Sequence, residues 1–126
     1  MNTIKIQDQT YQIRLPDCAT REGLVEDYAN SGKAQRTVGY ILVAITGVCC
    51  PGLLQGLEIG SYEDTLDPLR WGRALYSQLR ENEIPTAEVM TQGAELLKVI
   101  LEDLYPRELE VEEGKPSSPP GEEDRI

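Results

Sequence analysis

The chain has 126 residues, with twelve Lys and Arg against 22 Asp and Glu, no histidine and a net charge of −10 at neutral pH. That length suits one domain with a tail. The charge argues against nucleic acid and anionic membrane surfaces as partners, because both are held through Lys and Arg. The absence of histidine removes the commonest general base and the commonest metal ligand, which argues against an enzyme and against a bound metal or other cofactor.

The first stretch of pattern is Thr3–Gln7 (TIKIQ) and Thr10–Leu15 (TYQIRL). Apolar and polar residues alternate in both, so each is expected to be a half-buried strand, paired through a turn at Asp8-Gln9 or through a longer one. Met1 runs directly into this alternation without a basic and then apolar segment, so no secretory signal is expected. Pro16 ends the second strand. Cys18–Asn30 then reads as a helix capped by Asp17 or Thr20, with Glu22 in its first turn and Leu24, Val25 and Tyr28 facing inward. Ser31-Gly32 closes it.

Thr37–Leu57 (TVGYILVAITGVCCPGLLQGL) carries no charge at all. A membrane span needs ~20 mainly apolar residues, and Gly39, Thr46, Gly47 and the Pro51-Gly52 break argue against one. The expected element is a buried helix over Ala34–Cys50, apolar nearly all round and therefore in need of cover from the rest of the chain or from a partner.

From Gln55 to Asp67 glycines and acidic residues predict a loop, with one short extended piece at Leu57–Ile59. Asp67-Pro68 starts the next helix, Leu69–Asn82, which carries Leu75, Tyr76 and Leu79. Pro85-Thr86 starts the last one, where Val89, Gly93, Leu96, Leu97, Ile100, Leu101 and Leu104 form a stripe wider than one contact requires. Tyr105-Pro106 ends it. Residues 107–126 hold seven acids, three bases and a Pro-Ser-rich run, a composition expected to stay disordered. The reading is thus an α+β, mainly α domain over residues 1–106, a β-hairpin followed by about four helices, with a disordered acidic tail over 107–126.

Four features invite a chemical reading. Glu58, Glu63, Asp64 and Asp67 do not match a calcium-loop spacing, and a solvated acidic loop accounts for them. Cys18, Cys49 and Cys50 are an odd set without C-x-x-C, which points to a reducing compartment, and the apolar flank of Cys49-Cys50 with no nearby base points to core packing. Gly52, Gly56 and Gly60 lack the strand and the Lys-Ser/Thr of a phosphate loop. Trp71 between Arg70 and Arg73 is either a core-edge aromatic or an interaction hot spot. A partner surface is expected at Trp71, Tyr76, Leu96, Leu97, Ile100, Leu101 and Leu104, chosen for apolarity.

The hairpin pattern x-I-x-I-x-x-x-x-Y-x-I-R-x-P, followed by an acidic helix, an apolar helix, two further helices and an acidic tail, resembles the tail assembly chaperones of long-tailed bacteriophages. The resemblance spans residues 3 to 105 and lies in layout; the Cys-Cys-Pro-Gly break and the loop to Asp67 have no counterpart in it, and no functional residue is carried over. It implies a small non-catalytic protein of the host cytoplasm, absent from the finished virion. Such a protein coats the tape-measure protein, keeps it soluble and recruits tail-tube subunits; self-association is compatible with that role. It also implies a longer form made by ribosomal frameshifting. Glu113-Gly114-Lys115 is compatible with a slippery G-GGA-AAG heptamer there. Two other readings fit the composition: a neck or tail-completion protein, and an acidic inhibitor that mimics nucleic acid to block a host defence protein. The concentration of negative charge in residues 107–126 weakens the second.

Overall fold

A computed structural model describes residues 2–31 and 35–104, and the acidic stretch 107–126 lies outside them. Strands β1 (Thr3–Ile6) and β2 (Gln9–Gln12) pair antiparallel, with Ile4 opposite Tyr11 and Ile6 opposite Gln9. Ile4 and Ile6 are buried, as the alternation requires. The turn falls on Gln7-Asp8, one residue earlier than expected, and Gln7 takes a φ of 57°. That left-handed conformation is unusual for glutamine. Here the Gln7 backbone N–H donates to Glu88 Oε1 at 2.8 Å, tying the turn to the last helix.

β2 also stops earlier than its apolar pattern suggested. Past Gln12 the Arg14 N–H leaves the hairpin and donates to the Cys49 carbonyl at 2.7 Å, satisfying one of the orphan acceptors at a helix end. Leu15 consequently sits at the surface, 36% exposed.

Helix α1 spans Cys18–Ala29, with Asp17 as N-cap accepting from the Thr20 N–H. This bond holds the Asp17 carboxyl below its ordinary range. Glu22 lies beyond the first turn, so the expected dipole contact is not made there. Helix α2 spans Gln35–Cys49. A 3-10 turn over Pro51–Leu54 follows the Pro-Gly break, and a second one covers Tyr62–Asp64. No strand forms at Leu57–Ile59. Helix α3 spans Pro68–Glu81, with the Asp67 side chain accepting from the Arg70 N–H, and α4 spans Thr86–Leu104.

The core is arranged around α2, which packs on α3 along one flank and on α4 along another, with α1 also touching it. Ile41, Val43, Ala44, Ile45, Cys49 and Cys50 are buried. The cover that this apolar helix requires is therefore supplied mainly by its own chain, and no helix among the described residues is long and apolar enough to cross a membrane. Two glycines permit the close approach. A Cβ on Gly72 would fall within 2.8 Å of the Tyr40 carbonyl carbon, and one on Gly93 within 2.9 Å of the Leu42 carbonyl carbon. Thr46, whose side chain has no solvent access, lies with its hydroxyl 2.8 Å from the Val89 carbonyl and 3.1 Å from that of Leu42. Donation to Val89 stitches α2 to α4 and leaves no orphaned hydroxyl.

Candidate protein-docking surface

The seven residues expected to face a partner are split by the fold. Leu96 and Ile100 have no solvent exposure, Trp71 retains 3% and Leu97 6%. All four are core residues, which corrects the expectation for them. The physical reason is that α2 is apolar on several sides and takes up the α4 and α3 faces that looked spare. Tyr76, Leu101 and Leu104 are half-buried.

Trp71 is turned inward by two contacts. Its ring meets that of Tyr62 edge-on, with centroids 5.5 Å apart, and its indole N–H donates to the Gly60 carbonyl at 2.9 Å. The loop from Gln55 to Asp67 is thereby fastened to α3 through an aromatic pair whose Tyr62 member escaped notice in the sequence. It lies between Ser61 and Glu63, where nothing periodic marks it. Burial, together with the carboxylates of Asp27, Asp67 and Glu63, pushes the Tyr62 phenol up to about 12.

Helix α4 carries two adjacent apolar stripes, each at helical spacing. Val89, Gly93, Leu96 and Ile100 form the stripe that is fully buried. Met90, Ala94, Leu97, Leu101 and Leu104 form the second, and all of these except Leu97 are only half-buried. Met90 also belongs to an open groove, lined further by Arg36, Val38, Gly39 and Leu42 of α2. The described residues thus leave a long, partly covered apolar strip on α4, continued onto α2 at its Met90 end. Met90, Val38 and Leu42 had not been singled out. The signal for Met90 was its place four residues before Ala94 and seven before Leu97.

A second surface feature, on α2 and α3, is of a different kind. Tyr40 of α2 meets Tyr76 of α3 edge-on, with centroids 5.4 Å apart and planes at 74°. The Arg73 guanidinium carbon stands 5.9 Å from the Tyr40 ring centroid and that of Arg80 5.9 Å from the Tyr76 centroid.

Neither the cysteines nor the carboxylates assemble into a chemical centre among the described residues. No three Cys, Asp or Glu side chains there stand close enough to hold a metal ion. Cys49 and Cys50 are buried and Cys18 is exposed. Burial pushes the Cys49 thiol up to about 12, with Cys50 adding to the effect, and burial pushes Cys50 up to about 11. Since free thiols ionise near 9.0, the unfolded chain loses these protons first. Above that pH unfolding releases protons, so stability is expected to fall as the pH rises from about 9 towards 11 and 12. A thiol-specific reagent at mildly alkaline pH should label Cys18 quickly and leave Cys49 and Cys50 unreacted until denaturant is added, a difference read directly by mass spectrometry.

No protein-family model matches the chain, and no curated protein or solved structure matches it either.

Proposed function

We propose that this chain is a non-catalytic tail assembly chaperone of long-tailed bacteriophages. In the host cytoplasm it binds the tape-measure protein through the apolar strip of α4, keeps that protein soluble and helps recruit tail-tube subunits. It then leaves before the virion is complete. The observation that carries this reading is the second α4 stripe, Met90, Ala94, Leu101 and Leu104 around the buried Leu97, which the described residues leave partly uncovered after α2 has taken the first. A half-covered row of this length fits an amphipathic helix laid along it, the mode in which anchors repeat every three or four residues. A tape-measure protein is a long helical polypeptide and offers such helices in number. The hairpin-plus-four-helix order matches the layout that such chaperones imply, and the charge of −10 suits a protein that must keep an apolar client dispersed.

The test is co-expression with the longest helix-rich reading frame downstream, followed by pull-down. The otherwise insoluble client should become soluble and carry many copies of this chain with it. Met90→Glu and Leu101→Glu alter half-buried positions, so the variants should fold and yet lose client recovery by about tenfold or more, the effect of removing hot-spot contacts. Folding is checked by circular dichroism. Client recovery that is unchanged in both variants would remove the α4 strip from the proposal. A client that stays insoluble, with this chain eluting alone as a ring-sized oligomer, would favour a neck or tail-completion protein.

A further inference from the structure

The α4 strip accounts for apolar surface only, yet this acidic chain also carries an exposed cationic feature. Arg73, Tyr40, Tyr76 and Arg80 form a continuous row across α2 and α3, guanidinium over ring, ring against ring and ring under guanidinium, at 5.9, 5.4 and 5.9 Å. Both arginines are exposed and both tyrosines half-buried. Arg36, one turn before Tyr40 on α2, instead lines the groove beside Met90 and belongs to the α4 side. Among the described residues, Arg21 and Lys98 form ion pairs, with Asp103 and Glu95, whereas Arg73 and Arg80, like Lys5, Arg14, Arg36 and Arg70, form none.

What sets Arg73 and Arg80 apart from the other cations without an ion pair among the described residues is that each stands over an aromatic ring, and that placement has a reason. Covering the tyrosine rings is one part of it, since a guanidinium lies well on an aromatic face. That arrangement has a second consequence. A guanidinium at this distance from a ring keeps N–H donors available, and its planar fork can grip a carboxylate through two parallel hydrogen bonds. The edge-on contact sets the two tyrosine rings against each other, so these rings have less side-chain entropy to lose on binding. Arginine and tyrosine without lysine is also the composition of interaction hot spots.

We propose that this row is a second docking surface, separate from the α4 strip, and that its occupant is an acidic segment of another protein. The carboxylates of that segment pair with Arg73 and Arg80, and its apolar atoms rest on Tyr40 and Tyr76. A nucleic acid fits less well. Its charge extends far beyond two arginines into the field of a protein at −10, whereas a short acidic segment confines its charge within a Debye length of about 8 Å at physiological salt. The inference does not depend on the identity of the client bound by α4.

The experiment is fluorescence anisotropy on the full chain at physiological salt. The probe is a labelled peptide rich in glutamate and tyrosine, with a lysine-for-glutamate version and a single-stranded oligonucleotide of equal charge as comparisons. Saturable binding of the acidic peptide alone is expected. It should weaken by at least about tenfold in Arg73→Ala/Arg80→Ala and be restored only in part by Arg73→Lys/Arg80→Lys, because lysine keeps the charge and loses the planar fork. These exposed changes should leave the circular dichroism spectrum and client recovery through α4 as they are. Absence of saturable binding, binding indifferent to the alanine pair, or an oligonucleotide that binds as well as the peptide would each overturn the proposal.

Discussion

Alanine at Gly72 or Gly93 is expected to cost this domain about 3 kcal/mol or more, at the upper end of what overpacking usually causes, because backbone and not a mobile side chain lies in the way. At Gly72 the new methyl would meet the Tyr40 carbonyl and also the Ala44 methyl at 3.3 Å. At Gly93 it would meet the Leu42 carbonyl and the Thr46 hydroxyl at 2.9 Å, straining the α2–α4 contact where the one buried polar side chain among the described residues sits. Relief requires α3 or α4 to move away from α2 as a whole. Alanine normally favours a helix over glycine by roughly 1 kcal/mol, so local propensity predicts stabilisation and tertiary packing predicts the reverse. Thermal denaturation followed by circular dichroism decides between them. A fall in melting temperature of more than about 10 °C is expected for each single variant. Gly23→Ala is the control, since a Cβ there meets nothing within 4 Å.

Trp71→Ala should be comparably severe, at about 3–5 kcal/mol, because it empties a core position and cuts the attachment of the Gln55–Asp67 loop at the same time. Trp71→Phe separates the two effects. Phenylalanine fills much of the space but cannot donate to the Gly60 carbonyl, so a smaller loss of stability is expected, of the order of 1–3 kcal/mol. Amide exchange in the 59–65 segment should rise in Trp71→Phe while that of α2 and α4 stays protected. If Trp71→Ala instead left the melting temperature unchanged and abolished partner recovery, the inward placement of Trp71 would be wrong and its reading as a surface hot spot would return.

Much of the architecture was legible residue by residue. Ile4 and Ile6 alternate because one side of a strand is wet. Asp17 and Asp67 stand where a short acidic side chain can accept from the amide three residues on. The α4 pattern repeats every three or four residues because one face is dry. Each of these signals is local, carried within a few residues by backbone geometry and solvent. The hairpin turn was misplaced by one position for the same reason in reverse. Asp8-Gln9 and Gln7-Asp8 are almost equivalent as local turn sequences, and the choice is consistent with the bond from Gln7 to Glu88, 81 residues away.

The sequence by itself determined the order of the hairpin and the four helices, the need to bury the uncharged stretch around Thr37–Leu57, and the acidic balance of the chain. Which apolar residues remain for a partner was decided only by the tertiary structure. Leu96, Leu97, Ile100 and Leu101 are alike in a sequence, and they become core, near-core or strip according to where α2 lies against α4. Trp71 and Arg73 are two residues apart, yet one is drawn beneath the loop to Gly60 and the other is laid over a ring on a different helix. Hydrophobicity establishes that a side chain will seek cover. The supply of cover depends on the close approach of helices at Gly72 and Gly93, and so on contacts between residues that are far apart in the chain.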